Sequence, residues 1–171
     1  MRLFLALIPP PALRRRLAEL AERAHARLGG RRVPDDSLHL TLAFLGERPT
    51  AQAEALARWV EERPIPEGEW RLDAWGSFRR PGIVWVGSRT PDRALTELQA
   101  ALWQDLERHG VAGRPSGFIP HVTLLRRAHR LDTAEMSPPD LAWPYRQLAL
   151  VRSFTDQDRA RYQTLARSPL S

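Results

Sequence analysis

Cysteine, lysine and asparagine are all absent from the 171 residues. Without cysteine there are no disulfides, no thiolate metal sites and no cysteine nucleophile. Without lysine there is no nucleotidyl-lysine intermediate and no P-loop lysine. Every one of the 26 basic residues is therefore arginine, set against 20 acidic ones for a net charge of +6. GC-rich coding accounts for arginine in place of lysine, and the lack of asparagine suits a heat-exposed protein. Neither accounts for the surplus of positive charge, which attracts polyanions, nucleic acid first. Long apolar runs are missing too. The longest early one, Leu3 to Ile8, stops at Pro9-Pro10-Pro11. It is too short for a membrane span or a signal-peptide core, so a cytoplasmic protein with no membrane partner is expected.

What is present is the balance of a folded chain, 43% apolar and 27% charged. The length suits one domain or two small lobes sharing a core, and residues 1–171 are read as a single two-lobed domain. Arg2 to Ile8 reads as a strand. Pro11 to Leu28 reads as a helix on its Leu13, Leu17, Leu20, Ala24 and Leu28 stripe, ended by Gly29-Gly30. Ser37 to Gly46 reads as a strand, and Thr50 to Arg63 as a helix capped by Thr50. Trp70 to Phe78 and Ile83 to Ser88 read as strands around the turn Arg79-Arg80-Pro81-Gly82. Thr90-Pro91 is expected to open a helix carrying Leu95, Leu98, Leu102 and Leu106, closed by Gly110. Phe118 to Arg126 reads as a strand, Ala128 to Pro144 as a long loop, and Tyr145 to Phe154 and Ala160 to Ala166 as the last two strands. Strands mixed with helices, with hairpins late in each half, favour α+β lobes over a doubly wound parallel sheet.

One repeat carries chemistry. His39-Leu40-Thr41-Leu42 recurs as His121-Val122-Thr123-Leu124, 82 residues later. With eight threonines in the chain, a given histidine has threonine two positions on roughly one time in twenty. Two such pairs among five histidines, with matching apolar flanks, are therefore poorly explained by chance. Side chains alternate along a strand, which puts His39 with Thr41, and His121 with Thr123, on a polar face. The opposite faces hold Leu38, Leu40, Leu42 and Phe44, and Pro120, Val122 and Leu124. Phe44 is accordingly expected in the core. Two imidazoles can act as acid and base near neutral pH, and threonine hydroxyls can donate to phosphate oxygens. Two copies of one strand around a pseudo-two-fold axis would hold a phosphate with a proton acceptor on one side and a donor on the other, as in-line displacement requires.

The pattern resembles the two-histidine phosphoesterase superfamily. Within it the chain is most similar to the RNA 2′,3′-cyclic phosphodiesterases, also called bacterial and archaeal 2′-5′ RNA ligases. The likeness extends to Arg2-Leu3-Phe4-Leu5-Ala6, to Ala43-Phe44-Leu45-Gly46, to the hairpin Gly76-Ser77-Phe78 through Val84-Trp85-Val86-Gly87, to Pro120 through Arg126, and to Arg161-Tyr162-Gln163-Thr164-Leu165. It implies two similar lobes with antiparallel sheets and flanking helices around a central cleft. It also implies that His121 is the general base, His39 the general acid that protonates the leaving 3′ oxygen, Thr41 and Thr123 phosphate ligands, and Arg126 a phosphate or RNA contact. No metal and no cofactor is implied. The expected partner is RNA ending in a 2′,3′-cyclic phosphate, the expected product a 2′-phosphate, and the expected state a monomer.

Some positions stay open. Strand parity places Arg126 on the apolar face with Val122 and Leu124, so it reaches substrate only if the strand ends or bulges there. Phe78 can stack on a base or pack in the core. The basic loop Arg126-Arg127-Ala128-His129-Arg130 can follow an RNA backbone or be a solvated surface. His25 reads as solvated, His109 as a helix C-terminal residue, and the tryptophans as packing residues. Competing activities are 2′-5′ ligation of a cyclic end to a 5′-hydroxyl, hydrolysis of small cyclic nucleotides, and RNA binding without catalysis.

Overall fold

The computed structural model describes residues 1–171. The elements run β1 (Arg2–Leu7), α1 (Pro11–Leu28), β2 (Arg31–Arg32), a 3-10 turn (Asp35–Ser37), β3 (Leu40–Glu47), α2 (Thr50–Glu61), β4 (Gly68–Leu72), β5 (Ala74–Phe78), β6 (Ile83–Gly87), α3 (Arg93–Arg108), β7 (His121–Arg126), β8 (Leu141–Tyr145), β9 (Ala149–Asp156) and β10 (Arg159–Arg167). The α1 stripe is buried as its periodicity requires, and the helix ends where Gly29 takes a positive φ of 71°.

Several boundaries differ from the sequence reading, each for a local reason. Helix α3 opens at Arg93 rather than at Pro91, because the Asp92 carboxylate caps it by accepting the Leu95 N–H at 2.9 Å. Thr50 is already helical; Pro49 is the cap residue, and no side chain makes a capping bond. The expected strand from Trp70 to Phe78 is broken at Asp73. Its N–H donates to the Gly87 carbonyl at 2.9 Å and its carboxylate accepts the Arg89 N–H at 2.7 Å, so β4 and β5 enter different sheets. The long loop ends at β8, whose Trp143 packs on Trp70 with ring centroids 5.7 Å apart. Tyr145 therefore closes β8 instead of opening the next strand.

Two four-stranded sheets make the lobes, in the orders β10-β9-β1-β3 and β2-β7-β6-β5, with β4-β8 as a small third sheet. All strand pairings are antiparallel. Each lobe contains a strand–helix–strand unit, β1-α1-β3 in one and β6-α3-β7 in the other. The helices are exchanged between lobes: α1 packs against β7, and α3 packs against β3. One continuous core consequently includes Leu13, Leu17, Leu40 and Leu42 together with Leu98, Leu102, Val122 and Leu124. Truncating any of these buried leucines to alanine costs about 2–5 kcal/mol. The two His/Thr strands thus stand on a shared foundation. No helix is long and apolar enough to cross a membrane.

Candidate active site

Both motif histidines are held by the same local device. His39 lies one residue before β3, with Leu38 between it and the 3-10 turn, rather than inside a strand as its sequence suggested. His121 is the first residue of β7. His39 Nδ1 is 2.7 Å from the Ser37 carbonyl, and His121 Nδ1 is 2.7 Å from the Ile119 carbonyl. A carbonyl can only accept, so each Nδ1 carries the proton and each Nε2 of a neutral ring carries the lone pair. Nε2 of His39 meets the Thr41 hydroxyl at 2.7 Å. Nε2 of His121 has no protein partner.

Aromatic walls flank each imidazole. Phe4 and Tyr162 lie 4.9 Å and 5.4 Å from the His39 ring, Tyr162 edge-on. Phe78 and Trp85 lie 5.1 Å and 5.9 Å from the His121 ring, Phe78 edge-on. Phe78 is thus a half-buried wall of the site. Trp85, which its sequence marks only as a packing residue, joins it, as do Phe4 and Tyr162, which no sequence pattern singles out. Trp85 can lie there because Gly76, opposite it on β5, has no side chain. A Cβ on Gly76 would stand 2.1 Å from the Trp85 indole.

Two β-bulges decide what else reaches this face. On β7 the register passes from Thr123, opposite Trp85, to Leu125, opposite Val84, and leaves Leu124 as the extra residue. Leu124 and Leu125 are both buried, and Arg126 emerges exposed on the side of His121 and Thr123. Its positive charge acts on both histidines. On β3 the same slip occurs at Leu42: Ala6 faces Thr41 and Leu5 faces Ala43. Ala43 is buried, and Phe44 is 71% exposed, with its ring 6.3 Å from that of Phe4. The expectation that Phe44 is core is therefore corrected: the bulge turns it out onto the site face, at the position that Arg126 holds in the other lobe.

Burial and charge set the protonation. The His39 pKa is lowered to about 4, first by burial, then by the positive charges of Arg126 and His121, against the opposing pull of the Ser37 carbonyl. His121 is lowered as well, by burial and by Arg126, with the Ile119 carbonyl opposing. At neutral pH both rings are neutral in the free protein. The arrangement offers two neutral imidazoles with known tautomers, two hydroxyls and a guanidinium around one space, a set suited to an anionic phosphate that must gain and lose protons.

A family model described as the 2′-5′ RNA ligase superfamily matches residues 9–157. The RNA 2′,3′-cyclic phosphodiesterase of Escherichia coli K12 is 34% identical over 172 residues, covering 99% of this chain and 97% of that protein. The chain belongs to the 2′-5′ RNA ligase superfamily. A second superfamily member, the RNA 2′,3′-cyclic phosphodiesterase of Thermus thermophilus, is 34% identical over 90% of this chain and 82% of its own length. The crystal structure of E. coli LigT complexed with 3′-AMP has a TM-score of 0.83 at 33% identity, over 97% of this chain and 95% of that one. The crystal structure of TT0787 of Thermus thermophilus has a TM-score of 0.75 at 29% identity, covering 98% and 96%.

The other histidines of this superfamily member stay away from the paired motifs. His25 Nε2 is 3.1 Å from the Gly30 carbonyl at the exposed end of α1. His109 lies against Trp59, 5.4 Å between rings. His129 sits over Gly29. No three histidine, aspartate or glutamate side chains converge in a way that could hold a metal ion.

Proposed function

We propose that this protein is an RNA 2′,3′-cyclic phosphodiesterase in which His121 and His39 act as base and acid on opposite sides of the phosphate, within one two-lobed domain. The observation that carries the reading is the duplicated His-x-Thr site with both Nδ1 atoms tied to backbone carbonyls and Arg126 brought alongside by a bulge. The relatives are named for this activity, and LigT has been crystallised with 3′-AMP and with phosphate.

The geometry supports the following course. Arg126, Thr41 and Thr123 receive the non-bridging oxygens of the cyclic phosphate. Nε2 of neutral His121, free of any protein partner, takes a proton from water as its oxygen bonds to phosphorus. The anionic phosphate raises the proton affinity of His39, whose Nε2 gains a proton from solvent to give the imidazolium; the bond from phosphorus to the 3′ oxygen then breaks, and that oxygen takes the proton from Nε2. The product is a 2′-phosphate with a 3′-hydroxyl. Phe44, exposed on the same face, offers a ring on which a base can stack. The same site can run in the direction of ligation when a 5′-hydroxyl replaces water. Water at about 55 M favours hydrolysis unless two RNA ends are held together.

The test is an oligoribonucleotide ending in a 2′,3′-cyclic phosphate, incubated with and without EDTA, its product compared with 2′- and 3′-phosphate standards. We expect a 2′-phosphate and no effect of chelation, because histidine, threonine and arginine supply every role above. A 3′-phosphate would reverse the leaving group, and EDTA-sensitive turnover restored by a divalent ion would overturn the metal-free mechanism. His39→Ala or His121→Ala should each lower kcat/KM at least about 100-fold.

A further inference from the structure

The arginines at the outer end of β7 are arranged in a way the reacting phosphate alone does not explain. In β2, Arg31 stands directly opposite Arg126, and its neighbour Arg32 stands opposite Leu125. Directly opposed residues of an antiparallel pair share a face. Leu125 and Arg32 point toward α1, where Arg32 meets the Ala18 carbonyl and Glu22. Arg31 therefore shares the site face with Arg126, one strand further from the histidines. Like charges directly opposite destabilise a sheet, yet neither guanidinium has an acidic partner. The nearby acids are engaged elsewhere, Asp35 with Arg32 and Glu135 with Arg27.

The backbone is built to hold this pair. Gly30, at a positive φ of 84°, lets β2 approach so closely that a Cβ there would lie 2.6 Å from Ala128 Cα and 2.8 Å from the Arg126 carbonyl. The β5–β6 turn joins the same corner: the Ala128 N–H donates to the Gly82 carbonyl at 3.0 Å. That contact sets the turn that carries Arg79 and Arg80 against the backbone of Arg127 and Ala128; Arg79, Arg80, Arg127 and Arg130 are all exposed, and none forms an ion pair. A set of unpaired guanidinia thus runs outward from Arg126 along this edge of the lobe.

We propose that Arg31 binds the phosphate of the nucleotide preceding the cyclic end, with the Arg126 guanidinium standing between that phosphate and the reacting one and donating to both, and that the RNA body leaves the site over the Arg79, Arg80, Arg127 and Arg130 rim. This phosphate contact rests on the RNA reading of the site given above. A phosphodiester between the two guanidinia relieves their repulsion, and each long side chain spans the interval of about 5 Å between neighbouring strands.

The experiment compares kcat/KM for a 2′,3′-cyclic mononucleotide and for a hexaribonucleotide with the same cyclic end, from 50 to 400 mM salt. It uses the native protein, Arg31→Gln, Arg31→Glu and the control Arg15→Gln, an exposed arginine in the first half of α1. Binding of a fluorescent hexamer with an uncyclised end is measured in parallel by anisotropy. Arg31→Gln should lower the hexamer-to-mononucleotide ratio about tenfold at low salt, as loss of a charged hydrogen bond does. It should also flatten the log–log salt dependence of hexamer binding by about 0.7, the value for one single-strand phosphate contact. Arg31→Glu should go further, and Arg15→Gln should change neither. The thermal midpoint of Arg31→Gln should not fall, since a repulsion is removed. An unchanged ratio, equal losses on both substrates, or a lowered midpoint would overturn the contact. If the native protein hydrolyses neither substrate, the cyclic phosphodiesterase reading fails, and the anisotropy arm still decides whether Arg31 binds a phosphate.

Discussion

In the mechanism proposed above, His39 is an acid catalyst that is unprotonated in the resting protein, so substrate binding has to raise its affinity for a proton from solvent, and the magnitudes make this testable. His39 has a pKa of about 4 in the free protein, so fewer than about one molecule in a hundred carries the imidazolium at pH 7. Raising that pKa to about 7 requires roughly 4 kcal/mol. A single negative charge about 4 Å from the imidazolium supplies about 4 kcal/mol at an effective dielectric constant of 20. One phosphodiester charge is therefore just sufficient. Removing the opposing charge of Arg126, which lowers both histidines in the free protein, should move both pKa values upward.

The assay is a pH titration of the histidine ring nitrogens by NMR, in free protein, with saturating 2′-AMP, and in Arg126→Gln. His39 should titrate near pH 4 when free, near neutrality with the nucleotide bound, and above pH 4 in the free variant. The kinetics should follow. In the free protein both histidines lie below the ordinary 6.5, so kcat/KM should decline above about pH 6.5, whereas kcat, reporting the anion-bound state, should hold to higher pH. A His39 that titrates near 6.5 in the free protein would refute the burial argument. A shift of less than about one unit on nucleotide binding would refute substrate loading of the proton.

Stability should carry the same signature. A histidine lowered to about 4 binds its proton more weakly folded than unfolded, so stability is full above pH 6.5 and falls as pH drops toward 4, by up to about 3 kcal/mol. His39→Gln should remove most of that acid-dependent loss in urea titrations at pH 7 and pH 4.5, while abolishing turnover; an unchanged pH dependence would count against burial as its cause. Gly76→Ala should drive a methyl into the Trp85 indole, where the contact would be 2.1 Å, at a cost of about 1–3 kcal/mol. It should lower kcat more than it raises KM, because Trp85 walls His121, and a variant with native kcat would show that the indole does not position that ring.

The apolar elements were legible from periodicity, because helices such as α1 bury one stripe whatever surrounds them. What the sequence concealed arises from contacts distant along the chain. Asp73 breaks a plausible continuous strand because Gly87 and Arg89 come to meet it. Strand β2 has only two residues and exists because Gly30 lets it reach β7. In the site, the histidines and threonines were visible as a repeat, but alternation misplaced Phe44, and it left Arg126 dependent on a bulge that nothing in the sequence revealed. Both depend on one extra residue in a strand, and a bulge leaves no mark in a run of leucine, alanine and valine. The repeat itself held the missing signal. If two strands are copies, a bulge after the second His-x-Thr demands one after the first, and both residues three positions past the threonine then turn to the cleft.

The duplication explains the shape of the site, and its departures from symmetry explain how two identical side chains can take opposite roles. Equal clamps on Nδ1 present both Nε2 atoms to one space. His39 is the more deeply lowered of the two, which makes its imidazolium the stronger acid and the readier donor to a leaving oxygen. In the free protein the Thr41 hydroxyl donates to its Nε2, so that nitrogen is occupied until an anion draws the hydroxyl away and a proton in. His121, less depressed and with Nε2 unpartnered, is the better base and is open to water from the start. At the two equivalent positions beyond the bulges stand a ring and a guanidinium, Phe44 on the strand that follows His39 and Arg126 on the strand of His121. In the proposed mechanism Phe44 stacks a base and Arg126 binds phosphate, and this asymmetry favours one direction of entry for an RNA end. That direction would place the 3′ oxygen toward His39 each time a cyclic phosphate binds.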